Sequence, residues 1–356
     1  MNQIDRFVYD GTLPDSFFRI SEKIYQGSTI RPAEDPELIR TLFEMEALQH
    51  DIVIYTDHEN FRLAGIFPKQ EKGAYFGFWE STNSAELNVQ VFRLLEADAR
   101  ERNRENLIGP INFSTYHQNR LRIGLHPSWS MFDKEPVNPT YYPDLLALVN
   151  FREKITYESR IVKKEDLPGL YVDKDNFIKA INKIPFDFIP LTPENWKRYE
   201  KEIFGLIDAI FSENPFYKPI SFDQFKLIYN YKFSAKLCPH SSVILQDRAS
   251  GRLVAISMCH PNYHSLYPTV KEPTFARDYS KLLHKTILAK TIGVHPDFRR
   301  LGLMNYIGAY GLLSLRELYD DVMFCLMRSD NFSVHFSNHV PYELARYALY
   351  EKNLVN

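Results

Sequence analysis

Lys290-Thr-Ile-Gly-Val-His-Pro-Asp-Phe-Arg-Arg-Leu-Gly-Leu-Met304 is the stretch on which the reading of this chain turns. A β-like run, Thr286 to Val294, leads into it and is interrupted by Gly293. An almost wholly apolar helix, Leu303 to Tyr319, is expected to follow. Between them lies a tight turn, His295 to Gly302, with two arginines and a glycine. Strand, basic turn and buried helix together make an anion cradle. The first-turn N–H groups of a helix have no internal partner and point at whatever occupies the turn. Gly302 lets the backbone approach that ligand without a Cβ, and Arg299 and Arg300 add charge-assisted donors. A Walker loop would need Lys-Ser/Thr after its last glycine, and a dinucleotide fingerprint would need three glycines; neither is present.

What remains is Val-x-Pro-x-Phe-Arg-x-x-Gly, carried by Val294, Pro296, Phe298, Arg299 and Gly302. It resembles the acetyl-coenzyme A loop of the GCN5-related N-acetyltransferases (GNAT), whose pattern ends in a small residue where this chain has Met304. The resemblance implies an α/β (α+β) fold with a mixed, largely antiparallel twisted sheet flanked by helices. It implies that the central strand and the next one splay apart to admit the coenzyme arm, and that the turn holds its pyrophosphate. On that basis the coenzyme-binding set is Ile292, Gly293 and Val294 on the strand, Arg299, Arg300, Leu301, Gly302, Leu303 and Met304 at the turn and helix start, and Asn331 after the following strand.

Composition reads as that of a globular, soluble protein. The chain has 356 residues, 44% hydrophobic and 25% charged, with a formal net charge of -2. That length suits two domains, and that charge provides no global basic field for nucleic acid or anionic lipid. Cys238, Cys259 and Cys325 are widely spaced and form no CxxC pair, so they read as reduced thiols of a cytoplasmic protein. The start of the chain lacks a signal-peptide pattern, and no apolar run approaches a membrane span. No metal site is expected, because the His residues are scattered.

The order helix, hairpin, strand, helix, strand occurs twice. In the first half it runs through Asp35–Ala47, the hairpin from Asp51 to Phe67, the strand Ala74–Glu80, the helix Asn88–Asn103 and the strand Leu107–Ser114. In the second it runs from Thr192 to a last strand, Glu343–Tyr350. We therefore expect two tandem GNAT-like domains: 1–162, a linker at 163–185, and 186–356 with the acyl-coenzyme A loop. The first half's own turn, Glu80-Ser-Thr-Asn-Ser-Ala-Glu-Leu87, has neither Gly nor Arg, so that half is expected not to bind the coenzyme. The chain is similar to bacterial two-domain members that share Gly-Pro-x-Asn-Phe-Ser, here Gly109 to Ser114, and a Tyr-Tyr pair, here Tyr141 and Tyr142.

Acyl transfer to an amine requires a polarised thioester oxygen, a deprotonated nucleophile and a stabilised thiolate. The family's acid is often a Tyr seven positions after the Asn; here that position is Asn338, which can stabilise a thiolate only by hydrogen bonding. Ser337, Tyr342 and Tyr347 are possible replacements. Glu213 and His260 are the preferred base candidates, ahead of His264 and His284. The expected activity is transfer of an acetyl or other acyl group from coenzyme A to the amine of a small metabolite, by a monomer or homodimer. The acceptor is expected between the halves, walled by Asn112, Ser114, Tyr116, Tyr141, Phe216 and Tyr263. Alternatives are an aminoacyl-tRNA-dependent transferase of the same tandem fold, disfavoured by the absence of a broad basic face, and a non-catalytic acyl-coenzyme A-binding module.

Overall fold

A computed structural model describes residues 3–355 apart from positions 29, 33, 126, 130 and 173. The chain divides into two compact units, each discontinuous in sequence. The first comprises Met1–His126, Lys134–Tyr157 and Arg346–Asn356; the second comprises Pro127–Asp133 and Glu158–Ala345.

In the first unit, β1 (Asp5–Val8), α1 (Asp15–Ile24) and α2 (Pro36–Glu46) precede the meander β2 (His50–Thr56), β3 (Phe61–Pro68) and β4 (Gly73–Ser81). Then come α3 (Ala85–Glu101), β5 (Asn106–Gly109), β6 (Leu121–Ile123) and α4 (Tyr142–Leu148). β7 (Arg152–Val162) follows, and its residues 158–162 belong to the second unit. The second unit continues with α5 (Leu167–Val172), α6 (Asp175–Ala180), β8 (Phe186–Pro190), α7 (Pro193–Phe211), α8 (Phe222–Ile228) and α9 (Tyr231–Lys236). The hairpin β9 (Val243–Asp247) and β10 (Leu253–Pro261) leads through α10 (Phe275–Asp278) to β11 (Thr286–Val294), α11 (Leu303–Leu312), α12 (Leu315–Leu318) and β12 (Asp321–Arg328). β13 (Glu343–Asn353) ends the chain.

Helices start where short polar side chains can take the free N–H groups of the first turn. Asp35 accepts from Glu37 and Leu38, Ser84 from Leu87, and Thr192 from Asn195. Each unit is a mixed sheet in which, among the described pairings, an antiparallel meander leads into a parallel pair. The strand order is β1-β2-β3-β4-β5-β13 in the first unit and β7-β12-β11-β10-β9-β8 in the second. The parallel pairs are β4–β5 and β11–β12. In the first unit Phe76, Phe92 and Phe151 pack edge to face beneath β4. In the second, Val254, Val294, Leu303 and Ile307 join β10, β11 and α11.

The structure departs from the sequence expectation in several places. β7 was not anticipated, and residues 163–185 form α5 and α6 rather than a bare linker. The expected division at 162 and 186 also shifts. Residues 158–185 belong to the second unit, whereas β13 from Arg346 onward pairs with β5 and β6 in the first. A strand joins the edge that offers ladder partners, and that choice rests on pairings between positions hundreds of residues apart. The expected helix Leu303–Tyr319 is broken between α11 and α12, and Ser221–Phe233 is divided between α8 and α9, where Asn230 caps the new start.

A buried charge group fixes β13 in the first unit. Glu135 is buried between Arg122, which pairs with it, and Tyr347 of β13, whose hydroxyl donates to Oε1 at 2.7 Å. Removing one partner of a buried pair leaves the other uncompensated. Glu135→Ala is therefore expected to lower the unfolding free energy by about 3–5 kcal/mol, read by urea denaturation; a loss below about 1 kcal/mol would contradict this role.

Candidate active site

The site begins where a ladder stops. β11 and β12 pair in parallel from Thr286↔Asp321 to Ala289↔Phe324 and no further. On its other side β11 stays paired with β10, but Met258 faces Thr291 while Cys259 faces Ala289, so Lys290 is an extra residue in β11. A bulge of this kind re-aims side chains and ends pairing. Past it, the His295 N–H donates to Val254 O of β10 at 2.7 Å. Backbone groups alternate along a strand, so the N–H groups of Ile292 and Val294 face the opposite edge, from which β12 has diverged. Gly293 is required by packing: a Cβ there would lie 2.4 Å from Ile210 Cγ2 of α7.

The turn that follows is a 3₁₀ segment, Pro296–Leu301, closed by Gly302 in the left-handed conformation (φ 68°). Among the described residues no side chain caps α11; the Asn305 N–H turns back to Gly302 O at 3.1 Å, which leaves the N–H groups of Leu303 and Met304 at its start for an anion. Met304 packs with the Val294–Leu303–Ile307 cluster, so its side chain is taken up by the core instead of obstructing the turn. Arg300 and Leu301 are exposed, and Arg300 makes no ion pair among the described residues. Arg299 turns back instead: it donates to Ile210 O at 3.1 Å and Val294 O at 3.4 Å and pairs with Glu213. Two residues not foreseen from sequence complete this end: Lys174 donates to Asn305 Oδ1 at 3.1 Å in the first turn of α11.

Glu213, one of the expected bases, is thus exposed and engaged at the Pro296–Gly302 turn. Its expected companion His260 lies elsewhere on β10, and the two make no contact among the described residues. His260 is buried; its Nδ1 meets Pro261 O at 2.9 Å, and its ring stacks on Tyr263. Burial pushes His260 down to about 4, so it is neutral near pH 7. Tyr263 is buried and donates to Lys236 O at 3.1 Å. Phe216 is half-buried, with positive φ, in the loop after α7.

After β12, Asn331 caps a 3₁₀ turn, Phe332–Phe336, by accepting the Phe332 N–H. Ser337 and Asn338 follow, and both face Arg160 of β7. Arg160 Nη1 donates to Val334 O at 2.9 Å, Asn338 Oδ1 at 2.6 Å and Ser337 Oγ at 3.3 Å. The guanidinium also lies over the Tyr342 ring. Arg160 escaped the sequence reading because β7 did.

The first unit resolves the same geometry in the opposite way. β4 and β5 pair in parallel only from Gly73↔Asn106 to Tyr75↔Ile108. Beyond that point the chain itself occupies the edge: the Ile111 N–H donates to Phe76 O at 2.8 Å, and Asn112 Oδ1 accepts the Phe78 N–H at 2.7 Å. A Cβ on Gly77 would sit 2.3 Å from Ile111 O. The helix that follows is capped by Ser84, and buried Glu80 accepts from Tyr142 at 2.6 Å near the end of β4. Burial raises Glu80 to about 7 despite the opposing charge of Arg62. Of the other expected acceptor residues in this unit, Ser114 is buried and accepts the Tyr116 N–H at 3.3 Å. Tyr116 is half-buried, and Tyr141 donates to Ser81 O at 2.9 Å.

No protein-family model matches the sequence, and no curated protein matches it significantly. Solved structures do resemble it. A tandem GNAT protein from the clavulanic acid biosynthesis pathway, solved without acetyl-coenzyme A, is 11% identical with a TM-score of 0.51, covering 99% of each chain. A conserved protein of unknown function from Enterococcus faecalis V583, a probable N-acyltransferase, is 8% identical with a TM-score of 0.52, covering 99% of this chain and 73% of that one. A GCN5-related glucosamine N-acetyltransferase region of a fungal multi-domain β-N-acetylglucosaminidase is 11% identical with a TM-score of 0.51, covering 99% of this chain and 38% of that one. At these identities the likeness is one of fold.

Asn112→Ala would strand the Phe78 N–H, at a cost of about 1–3 kcal/mol. Thermal denaturation should show that loss, while acetyl-coenzyme A affinity measured on the folded variant stays at the wild-type value; weakened coenzyme binding would mean that Asn112 belongs to the coenzyme site.

Proposed function

We propose that this chain, which carries the tandem fold of the GCN5-related N-acetyltransferases, is an acyl-coenzyme A dependent N-acyltransferase with its coenzyme site in the second unit. The observation that carries the reading is the conjunction in that unit of a β11 edge that β12 leaves after Ala289 and an α11 start without a side-chain cap among the described residues, joined by a glycine turn. The first unit has satisfied both features internally.

When bound, an acyl-coenzyme A supplies a thioester whose carbonyl carbon forms the new C–N bond as the C–S bond breaks. The chain's contribution is electrostatic and positional. The N–H groups at the start of α11, with Arg300 and Lys174 beside them, suit a pyrophosphate. Arg299 acts differently, bracing the turn against α7 and Glu213. The N–H groups of Ile292 and Val294 are donors for the thioester oxygen and the amide-bearing arm, and such fixed donors stabilise developing negative charge without reorganisation. Asn331, Ser337 and Asn338 stand after β12, the strand on the far side of the splay, and Arg160 orders the last two. Asn338 offers hydrogen bonding to a thiolate, not a titrating proton. The acceptor is a small-molecule amine.

The test is release of free thiol from acetyl-coenzyme A in the presence of a panel of primary amines. Gly302→Asp places a Cβ and a negative charge in a left-handed turn facing the anion. It is expected to weaken coenzyme binding at least about a hundredfold, about 2.7 kcal/mol, and to reduce thiol release to background with the fold intact by circular dichroism. Undiminished turnover in that variant would overturn the assignment of the turn.

A further inference from the structure

The short segment Pro127–Asp133 belongs to the second unit although it is distant in sequence from the rest of it. Its end is held firmly. Phe132 is fully buried with Leu288, Met323 and Cys325, and Asn262 Nδ2 donates to Met131 O at 3.3 Å. Lys290, the bulge residue of β11, lies over the Phe132 ring and donates to the backbone carbonyl of Asp133. This clamp fixes a carboxylate, with 38% of its side chain exposed, beside the point where β11 parts from β12.

One oxygen of that carboxylate, Asp133 Oδ2, stands 3.9 Å from His260 Nε2 and 3.9 Å from Lys236 Nζ. The His260 tautomer follows from its other contact. The Pro261 carbonyl can only accept, so Nδ1 carries the proton in the neutral ring and Nε2 presents a lone pair. Two acceptors therefore face each other at a separation too long for a direct hydrogen bond. A single nitrogen carrying two N–H groups, about 2.8–3.0 Å from each, spans that distance.

We infer that Asp133 and His260 together receive the acceptor's amine, the carboxylate holding one N–H and Nε2 taking the proton of another. This rests on the acyltransferase reading above. Among the described residues, the charged and titratable groups facing the pair are Lys236 and Lys290, with Tyr263 stacked on the imidazole and Tyr229 nearby on α8's C-terminal side. Two ammonium groups against one carboxylate disfavour a further positive charge, and so favour the neutral, nucleophilic form of a bound amine. In the reaction an ammonium leaves its first proton to solvent on entering the site, as the two lysines favour. The nitrogen lone pair then forms the C–N bond as the C–S bond breaks, and the proton of the N–H held by Nε2 passes through that ring nitrogen to the departing thiolate. A weakly basic imidazole beside a fixed carboxylate suits transfer from the acidic nitrogen of the adduct, not from a free ammonium.

The experiment uses the full chain labelled with ¹⁵N-histidine, with the His260 resonances assigned by their loss in His260→Gln. The probe is propylamine; tetramethylammonium, which carries charge but no N–H, is the control. Propylamine is expected to shift the His260 Nε2 resonance and tetramethylammonium to leave it in place. Asp133→Asn should abolish the propylamine shift while acetyl-coenzyme A binding, measured by calorimetry, is unchanged. No shift in the wild type, an equal shift with tetramethylammonium, or an undiminished response in Asp133→Asn overturns the proposal. Should Asp133→Asn fail to fold, Lys236→Met answers the same question: removing a neighbouring positive charge should tighten propylamine binding, and unchanged or weaker binding overturns the proposal. If propylamine engages the pair but acetyl-coenzyme A does not bind, the acyltransferase reading falls and the amine receptor stands.

Discussion

The candidate site depends on the early end of the β11–β12 ladder. After Ala289↔Phe324 the parallel partner is gone, and an extra residue at Lys290 breaks the register with β10. From there to Val294 the strand keeps one paired edge and one that is not used by β12. Backbone N–H groups are strong donors, and leaving them unpaired away from water is costly. An edge of this kind persists in a folded unit when something outside the sheet can use it. The same bulge turns Lys290 toward Phe132 and Asp133, so one local irregularity sets both the donor edge and the carboxylate beside it.

The first unit shows what the fold does when that edge is not kept. Pro110 has no N–H to continue the β5 ladder, and the chain turns so that Ile111 and the side chain of Asn112 take up the edge of β4. Ser84 then caps the following helix, and a buried carboxylate, Glu80, stands near the end of β4. An anion would meet donors that are already satisfied. Glu80 itself is held by Tyr142 and by the guanidinium of Arg62, which pairs with Glu34. Polar groups serve the interior of this unit, and its donors are directed inward.

The legible part of this architecture was local. Thr286–Val294, the glycine turn and the start of α11 could be read because their chemistry is contiguous: β-branched residues, then a proline, two arginines and a glycine at the left-handed position. Asp35, Ser84 and Thr192 likewise mark helix starts through a short-range hydrogen bond. The Gly-less turn after β4 announced an absent anion cradle, but not the Asn112 plug that replaces it, because that contact joins β4 to the segment after β5. Features built from distant pairings were not legible. The alternating charges of β7 resemble an exposed loop until Ser159 and Ile161 meet β12. Nothing local in Glu343–Asn353 says that its second part pairs with β5. Asp133 and Arg160 reach the site only through those long-range placements. The Glu213–His260 pair, inferred from their positions after neighbouring elements, is replaced by a Glu213–Arg299 contact at one end and an Asp133–His260 approach at the other.

The central claim is that a single edge, on β11, is open to the coenzyme. Isothermal titration of the full chain with acetyl-coenzyme A tests it directly. The account predicts a stoichiometry near one per chain, falling to zero when Gly293→Val fills the contact between β11 and Ile210 without touching the first unit. A stoichiometry near two, or a value of one that survives Gly293→Val in a folded protein, would contradict it.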